Sequence, residues 1–213
     1  MAYTTIDDPS AYFQALSYSG AGGSSNISRT FDGNSDLQPD LTWHKSRGQT
    51  YNHYMFDSTR GVGLYLSSNV NVGDDGSSGD TTSLASFDSD GFTLAASQGI
   101  SDASAPIMCW GWKANGGTRT TNTESGNNPG GGYQANTTAG FSIVDYTGTG
   151  STGTMAHGLG AVPHMILFKA RSEASNDWAV YHQGNTSAPE TDFLRLNTTG
   201  ATTDNANFMN DTA

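Results

Sequence analysis

Apolar and polar positions alternate in short runs along this chain, and clusters of Gly, Ser, Thr, Asn and Asp separate the runs. A period of two predicts half-buried strands, because successive side chains of an extended chain point to opposite faces. Strands are expected at residues 41–47, 51–56, 62–67, 84–87, 91–94, 107–112 and 140–146. The clearest alternation is Ile107-Met108-Cys109-Trp110-Gly111-Trp112. Ile107 and Cys109 fall on one face and Met108, Trp110 and Trp112 on the other, so one face is buried and the other aromatic. Near the N-terminus, Asp8 and Pro9 suit the N-cap and first position of a short helix or a single turn. From 114 to 138 the apolar pattern is lost among Asn-Gly-Gly and Pro-Gly-Gly-Gly segments, which predicts a linker or a long exposed loop.

The pattern repeats. Pro163, Lys169 and Arg171 lie 124 positions after Pro39, Lys45 and Arg47 (163−39), and Trp178 and Val180 fall on Tyr54 and Phe56. Arg195-Leu196 then answers Tyr65-Leu66, and Tyr146-Thr147-Gly148 answers Tyr18-Ser19-Gly20. A repeat of this length is a whole domain and not a solenoid unit. The expected architecture is all-β, a tandem of β-sandwich modules with the second one incomplete. An N-terminal attachment or first-strand segment spans 1–35, a first module 36–113 with strands from 17–35, a linker or long loop 114–138, and a truncated module 139–213. The second copy lacks counterparts of residues 91–94 and 107–112. That leaves strands without neighbours, so the 213 residues are expected either to belong to a longer chain or to receive the missing strands from another subunit.

Charge narrows the classes of partner. With 9 Lys+Arg against 20 Asp+Glu, the net charge of −11 repels phosphate backbones and anionic lipid surfaces, so neither nucleic acid nor membrane insertion is expected. No apolar run is long enough to span a bilayer, and the N-terminus lacks the basic and apolar regions of a signal peptide. Cys109 is alone and reads as a small buried hydrophobe on a strand.

Candidate chemistry is sparse. Trp110 and Trp112 on one strand face, with Tyr51 and Tyr54, can stack sugar rings, although Trp43, Trp110 and Trp112 are assigned mainly to the first module's core. The loop at 73–80 gathers Asp74, Asp75 and Asp80, which are weak calcium candidates because their order fits no EF-hand and a hairpin tip uses the same residues. Otherwise no cofactor is expected. Tyr12, Phe13 and Leu16 are apolar in a polar setting and form the candidate assembly surface, for docking on their own module or on a partner chain. The glutamates and histidines are scattered, with no close carboxylate pair on a strand, no zinc spacing and no nucleophile elbow, so no catalytic residue is assigned.

The runs Thr5-Ile6-Asp7-Asp8-Pro9-Ser10-Ala11-Tyr12-Phe13-Gln14, Asp32-Gly33-Asn34-Ser35-Asp36-Leu37-Gln38-Pro39-Asp40 and Ser86-Phe87-Asp88-Ser89-Asp90-Gly91-Phe92 carry a resemblance. With Tyr146-Thr147-Gly148-Thr149-Gly150, Gly158-Leu159-Gly160 and Pro163-His164-Met165-Ile166, they look like tail-fibre-type structural proteins of marine bacteriophages. Those proteins string together concanavalin-like jelly-roll modules. The family's modules continue into a Gly-Phe-x-Leu strand and an aromatic strand, which this chain does not show after Asn210-Asp211-Thr212-Ala213. The resemblance implies a non-enzymatic virion protein of the tail or its fibres, made in the host cytoplasm, that contacts other virion proteins and a host-surface glycan. The alternatives are a polysaccharide depolymerase tailspike and a head fibre or decoration protein on the capsid. Thin sandwiches gain stability by association, so a homo-oligomer, a trimer, is expected.

Overall fold

The computed structural model describes residues 5–20, 22, 26–76, 83–95, 98–103, 105–123 and 125–209. The chain is nearly all β. Its strands are β1 (Phe13–Ser19), β2 (Ile27–Arg29), β3 (Leu41–Ser46), β4 (Tyr54–Asp57), β5 (Leu64–Tyr65), β6 (Asp75–Gly76), β7 (Leu84–Asp88) and β8 (Gly91–Leu94). They continue with β9 (Pro106–Trp112), β10 (Thr120–Asn122), β11 (Gly131–Asn136), β12 (Phe141–Tyr146), β13 (Met165–Phe168), β14 (Ala179–His182), β15 (Asp192–Arg195) and β16 (Thr203–Asp204). The helical pieces are a 3-10 turn at Pro9–Ala11, capped by Asp8 with Pro at its start, and a one-turn helix α1 at Gln98–Ser101.

By its contacts the chain divides into two units, Met1–Tyr65 with Gly76–Gly160 and Leu66–Asp75 with Ala161–Ala213. In the first unit, one antiparallel sheet runs β1-β9-β3-β4 and a second runs β2-β8-β7. Leu37, Phe56, Leu84, Phe92, Leu94, Ile100, Ile107 and Cys109 are buried together, and each large apolar side chain withdrawn from water contributes about 1.5–3 kcal/mol. Phe92 of the second sheet meets Tyr18 and His44 of the first edge-on, with centroids 5.6 and 5.0 Å away. Phe31 approaches β9 so closely that a Cβ on Gly111 would lie 2.5 Å from its ring, so only glycine fits there.

Residues 1–35 carry strands of the first unit and are not an attachment segment alone. β1 pairs along its whole length with β9, and β2 pairs with β8. Tyr18 and Phe31 are core residues. The stretch 114–138 is likewise not a bare linker: it holds β10 and β11, and β11 pairs fully with β12 in a third sheet. The buried positions of β11 are filled by Gly132 and Gln134, neither of them a large apolar residue, so the hydrophobic alternation that would reveal the strand is missing.

The second unit is a four-stranded sheet in the order β13-β14-β15-β16, with Trp178, Val180 and Tyr181 buried. Residues 66–75, expected with the first module, belong to this unit. The Trp178 indole N–H donates to the Ser67 carbonyl at 3.0 Å, and Lys169 Nζ to the Asn71 carbonyl at 3.3 Å. Arg171 pairs with Asp74 at 2.6 Å. A further cluster joins Phe193 and Phe208, 4.8 Å apart.

Candidate functional site

Residues directly opposite one another in an antiparallel sheet share a face. The register therefore places Phe13, Trp112 and Leu41 in one row across β1, β9 and β3. Ala15, Trp110, Trp43 and Met55 form the next row. Both rows lie on the face turned away from the cluster around Phe92, although Met55 at the end of the second row is itself buried. The rings of Trp43 and Trp110 meet at 6.2 Å and 67°, and the Trp43 indole N–H donates to His53 Nδ1 at 3.3 Å. Burial first, and the Lys45 ammonium second, hold His53 below its ordinary pKa, which suits a neutral ring accepting that proton. Phe13 is 41% exposed and tilts against Trp112 at 5.0 Å, while Phe141 of β12 stacks on Trp112 at 6.1 Å and 22°. The tryptophans themselves are half-buried.

This placement corrects the assignment of Trp43, Trp110 and Trp112 to the core. The inward positions of β9 are Ile107, Cys109 and Gly111, because the space beneath them is taken by Phe92 and Phe31 and admits no indole. Tyr54 does not join the tryptophans. It pairs with His44 on the inner face, and its ring lies 5.0 Å from that of Tyr65. Tyr51 precedes β4, where its carbonyl accepts from Lys45 Nζ at 2.8 Å. The three assembly candidates also separate. Leu16 packs against the core, Phe13 faces outward, and the Tyr12 carbonyl accepts the Lys113 N–H at 2.9 Å. Asp74 is paired with Arg171, Asp75 lies in β6, and Asp80 is outside the described residues. Among the described residues, no three His, Cys, Asp or Glu side chains gather as a metal ion requires.

Two polar constellations escape a reading of the sequence. Beneath the aromatic rows, Tyr18 Oη lies 2.9 Å from His44 Nδ1 and donates to the Ile100 carbonyl at 2.8 Å. The phenol has one proton, so His44 Nδ1 must carry its own and donate to Tyr18, which leaves Nε2 as an acceptor facing Cys109 Sγ at 3.9 Å. Burial lowers His44 to a pKa of about 3 and pushes the Cys109 thiol and the Tyr18 phenol well up. All three groups are thus neutral, and the Cys–His pair has neither the thiolate nor the imidazolium of a nucleophilic dyad.

The second constellation surrounds Asp40, buried at the start of β3. Its carboxylate accepts the N–H groups of Ala114, Gly116 and Gly117 at 2.7, 2.9 and 2.7 Å, and the Ser58 hydroxyl at 2.7 Å. Gly116 and Gly117 have φ of +62 and +81°, the left-handed conformation that aims successive N–H groups at one anion. Gln134 Nε2 donates to Ser58 Oγ at 3.0 Å and to Thr59 Oγ1 at 2.7 Å, carrying the network to β11. The Asn115-Gly116-Gly117 run was the available signal, but it is shared with any flexible turn.

Fold and site together define an all-β protein of antiparallel sheets with an aromatic row on the outer face of its main sheet. The chain belongs to the DUF7483 family, a domain of unknown function, whose family model matches residues 8–213. No curated protein and no solved structure matches it.

Proposed function

We propose that this chain is a non-enzymatic structural protein of a bacteriophage virion, in the tail or its fibres. In this reading it is built of tandem concanavalin-like jelly-roll modules and binds host-surface glycan through its outer aromatic row. The observation that carries the reading is the row itself. Trp43 and Trp110, braced edge-to-face and by His53, and Trp112 beside Phe13 sit on a sheet face away from the core, where an apolar surface needs a partner. The face of a pyranose ring presents C–H groups to such indoles, and the net charge of −11 favours a neutral sugar over an acidic one. The neutral Tyr18–His44–Cys109 chain fits a structural role better than a chemical one.

Titration of tryptophan fluorescence with purified host-surface polysaccharide tests this. Saturable binding is expected, weakened about tenfold in Trp43→Ala or Trp110→Ala, the size of one lost stacking contact. Because these rings are half-buried, each variant should lose only about 1–2 kcal/mol of stability and remain folded. Equal binding by parent and variants would remove the glycan reading. Shortening of the polymer during the titration would favour a depolymerase, and labelling of the capsid in virion images would favour a head fibre.

A further inference from the structure

We infer that the outer edge of β13 accepts a β-strand supplied by another polypeptide, with the alternation that β9 carries in the first unit. The inference rests on the repeat reading of the chain and is independent of the glycan reading.

β13 begins 124 positions after β3 (165−41), the displacement of the sequence repeat. Hydrogen-bond parity is preserved as well. In antiparallel strands, bonded pairs recur at every second residue, and the residues between them direct N–H and C=O to the other side. In the first unit the Ser58 N–H donates to the Asp40 carbonyl at 2.8 Å, so Thr42 and His44 bond toward β4. The Arg47 N–H donates to the Pro106 carbonyl at 2.9 Å, so Lys45 and Trp43 bond toward β9. In the second unit the Gln183 N–H donates to the His164 carbonyl at 2.9 Å, so Ile166 and Phe168 bond toward β14. Met165 and Leu167, which answer Leu41 and Trp43, therefore direct their backbone groups outward.

Among the described residues, no strand pairs with that side of β13. The edge is Met165-Ile166-Leu167-Phe168, with Met165 54% exposed and no charge, proline or bulge within the strand to discourage pairing. β12, whose Phe141 and Tyr146 lie 128 positions after Phe13 and Tyr18 of β1 (141−13), is likewise an edge strand of its sheet. A second copy cannot lend its own β9, because that strand is paired on both sides, to β1 and to β3. The donor to which the inference commits is an extended segment of a different polypeptide, not the β9 of a second copy. Its inward residues are small or aliphatic, as Ile107, Cys109 and Gly111 are in β9, and it is poor in carboxylates because the recipient chain carries a net charge of −11.

The probe is a synthetic peptide with the sequence of residues 105–113, added to the intact chain. Fluorescence anisotropy of the labelled peptide should show saturable binding at one peptide per chain. N-methylation of the peptide at Met108 and Trp110, the positions that bond toward β3 in the first unit, should weaken binding at least about tenfold, whereas N-methylation at Ile107 and Cys109 should not. Leu167→Pro removes an outward donor without touching the ladder to β14 and should weaken binding to the same extent. The methylated peptides decide the matter even if that variant fails to fold. Absence of saturation, or equal binding of all three peptides, would overturn the inference. So would self-association of the chain that Leu167→Pro abolishes, without peptide binding, because the edge would then be closed by a second β13. Strand pairing is read here and not sugar binding, so this result and the glycan titration fail separately.

Discussion

Asp40→Ala is expected to destabilise the first unit by about 3–5 kcal/mol, close to the whole stability of a marginal domain. The carboxylate is buried and accepts three backbone N–H groups and one hydroxyl. Alanine would leave the three amides turned on an empty space that water fills poorly, and a buried unmade hydrogen bond costs about 1–3 kcal/mol. Ser58→Ala removes one neutral donor and should cost about 1 kcal/mol. Urea unfolding of both variants, followed by tryptophan fluorescence, measures the contrast. Equal midpoints for the two would show that the chain leaving β9 holds its turn without the anion.

Acidification from pH 8 to pH 5 is expected to remove about 2 kcal/mol through His44. The unfolded chain binds a proton on this imidazole near pH 6.5, whereas burial defers protonation in the folded state to about 3. Between those values the unfolded state carries more protons, so stability is complete above 6.5 and declines as pH falls toward 3. At pH 5 the gap is about 1.5 pH units below the unfolded value, at about 1.36 kcal/mol per unit. His53, lowered by burial and by Lys45, adds a contribution of the same sign. Denaturation curves at several pH values should show the decline in the parent and a flatter profile in His44→Gln. A parent curve flat from pH 8 to 5 would mean that the folded ring takes up its proton at the same pH as the unfolded one.

The alternation of β9 was legible in the sequence, and so were the hairpin of β3 and β4 and the strands β7, β8 and β12, because apolar and polar residues take turns there. Which face of β9 lies inside was not legible from that strand. Side-chain size points to the tryptophans, but the slot is set by Phe92 and Phe31, which arrive from other parts of the chain. Strands β10 and β11 were hidden for a different reason: backbone pairing and Gln134 hold them, and neither leaves a hydrophobic period. The Asp40 network joins residues that are 74 to 77 positions apart, a separation at which no local pattern operates. The aromatic row was half visible. Trp110 and Trp112 announce a shared face by spacing alone, but Trp43, Phe13 and Phe141 join it only through strand register and sheet packing.

The position of β9 between β1 and β3 bears on how the chain acquires its fold. β1 and β3 are made early, yet they share no backbone ladder, and each pairs with the same strand at Pro106–Trp112. On the ribosome, about half of the chain therefore emerges before its main sheet can close, and loop-closure entropy over that separation slows the step further. During that interval the open sides of β1 and β3 are exposed to neighbouring nascent chains. Synthesis past Trp112 is the event that ends this exposure, which makes β9 the timing element of the fold as well as its centre.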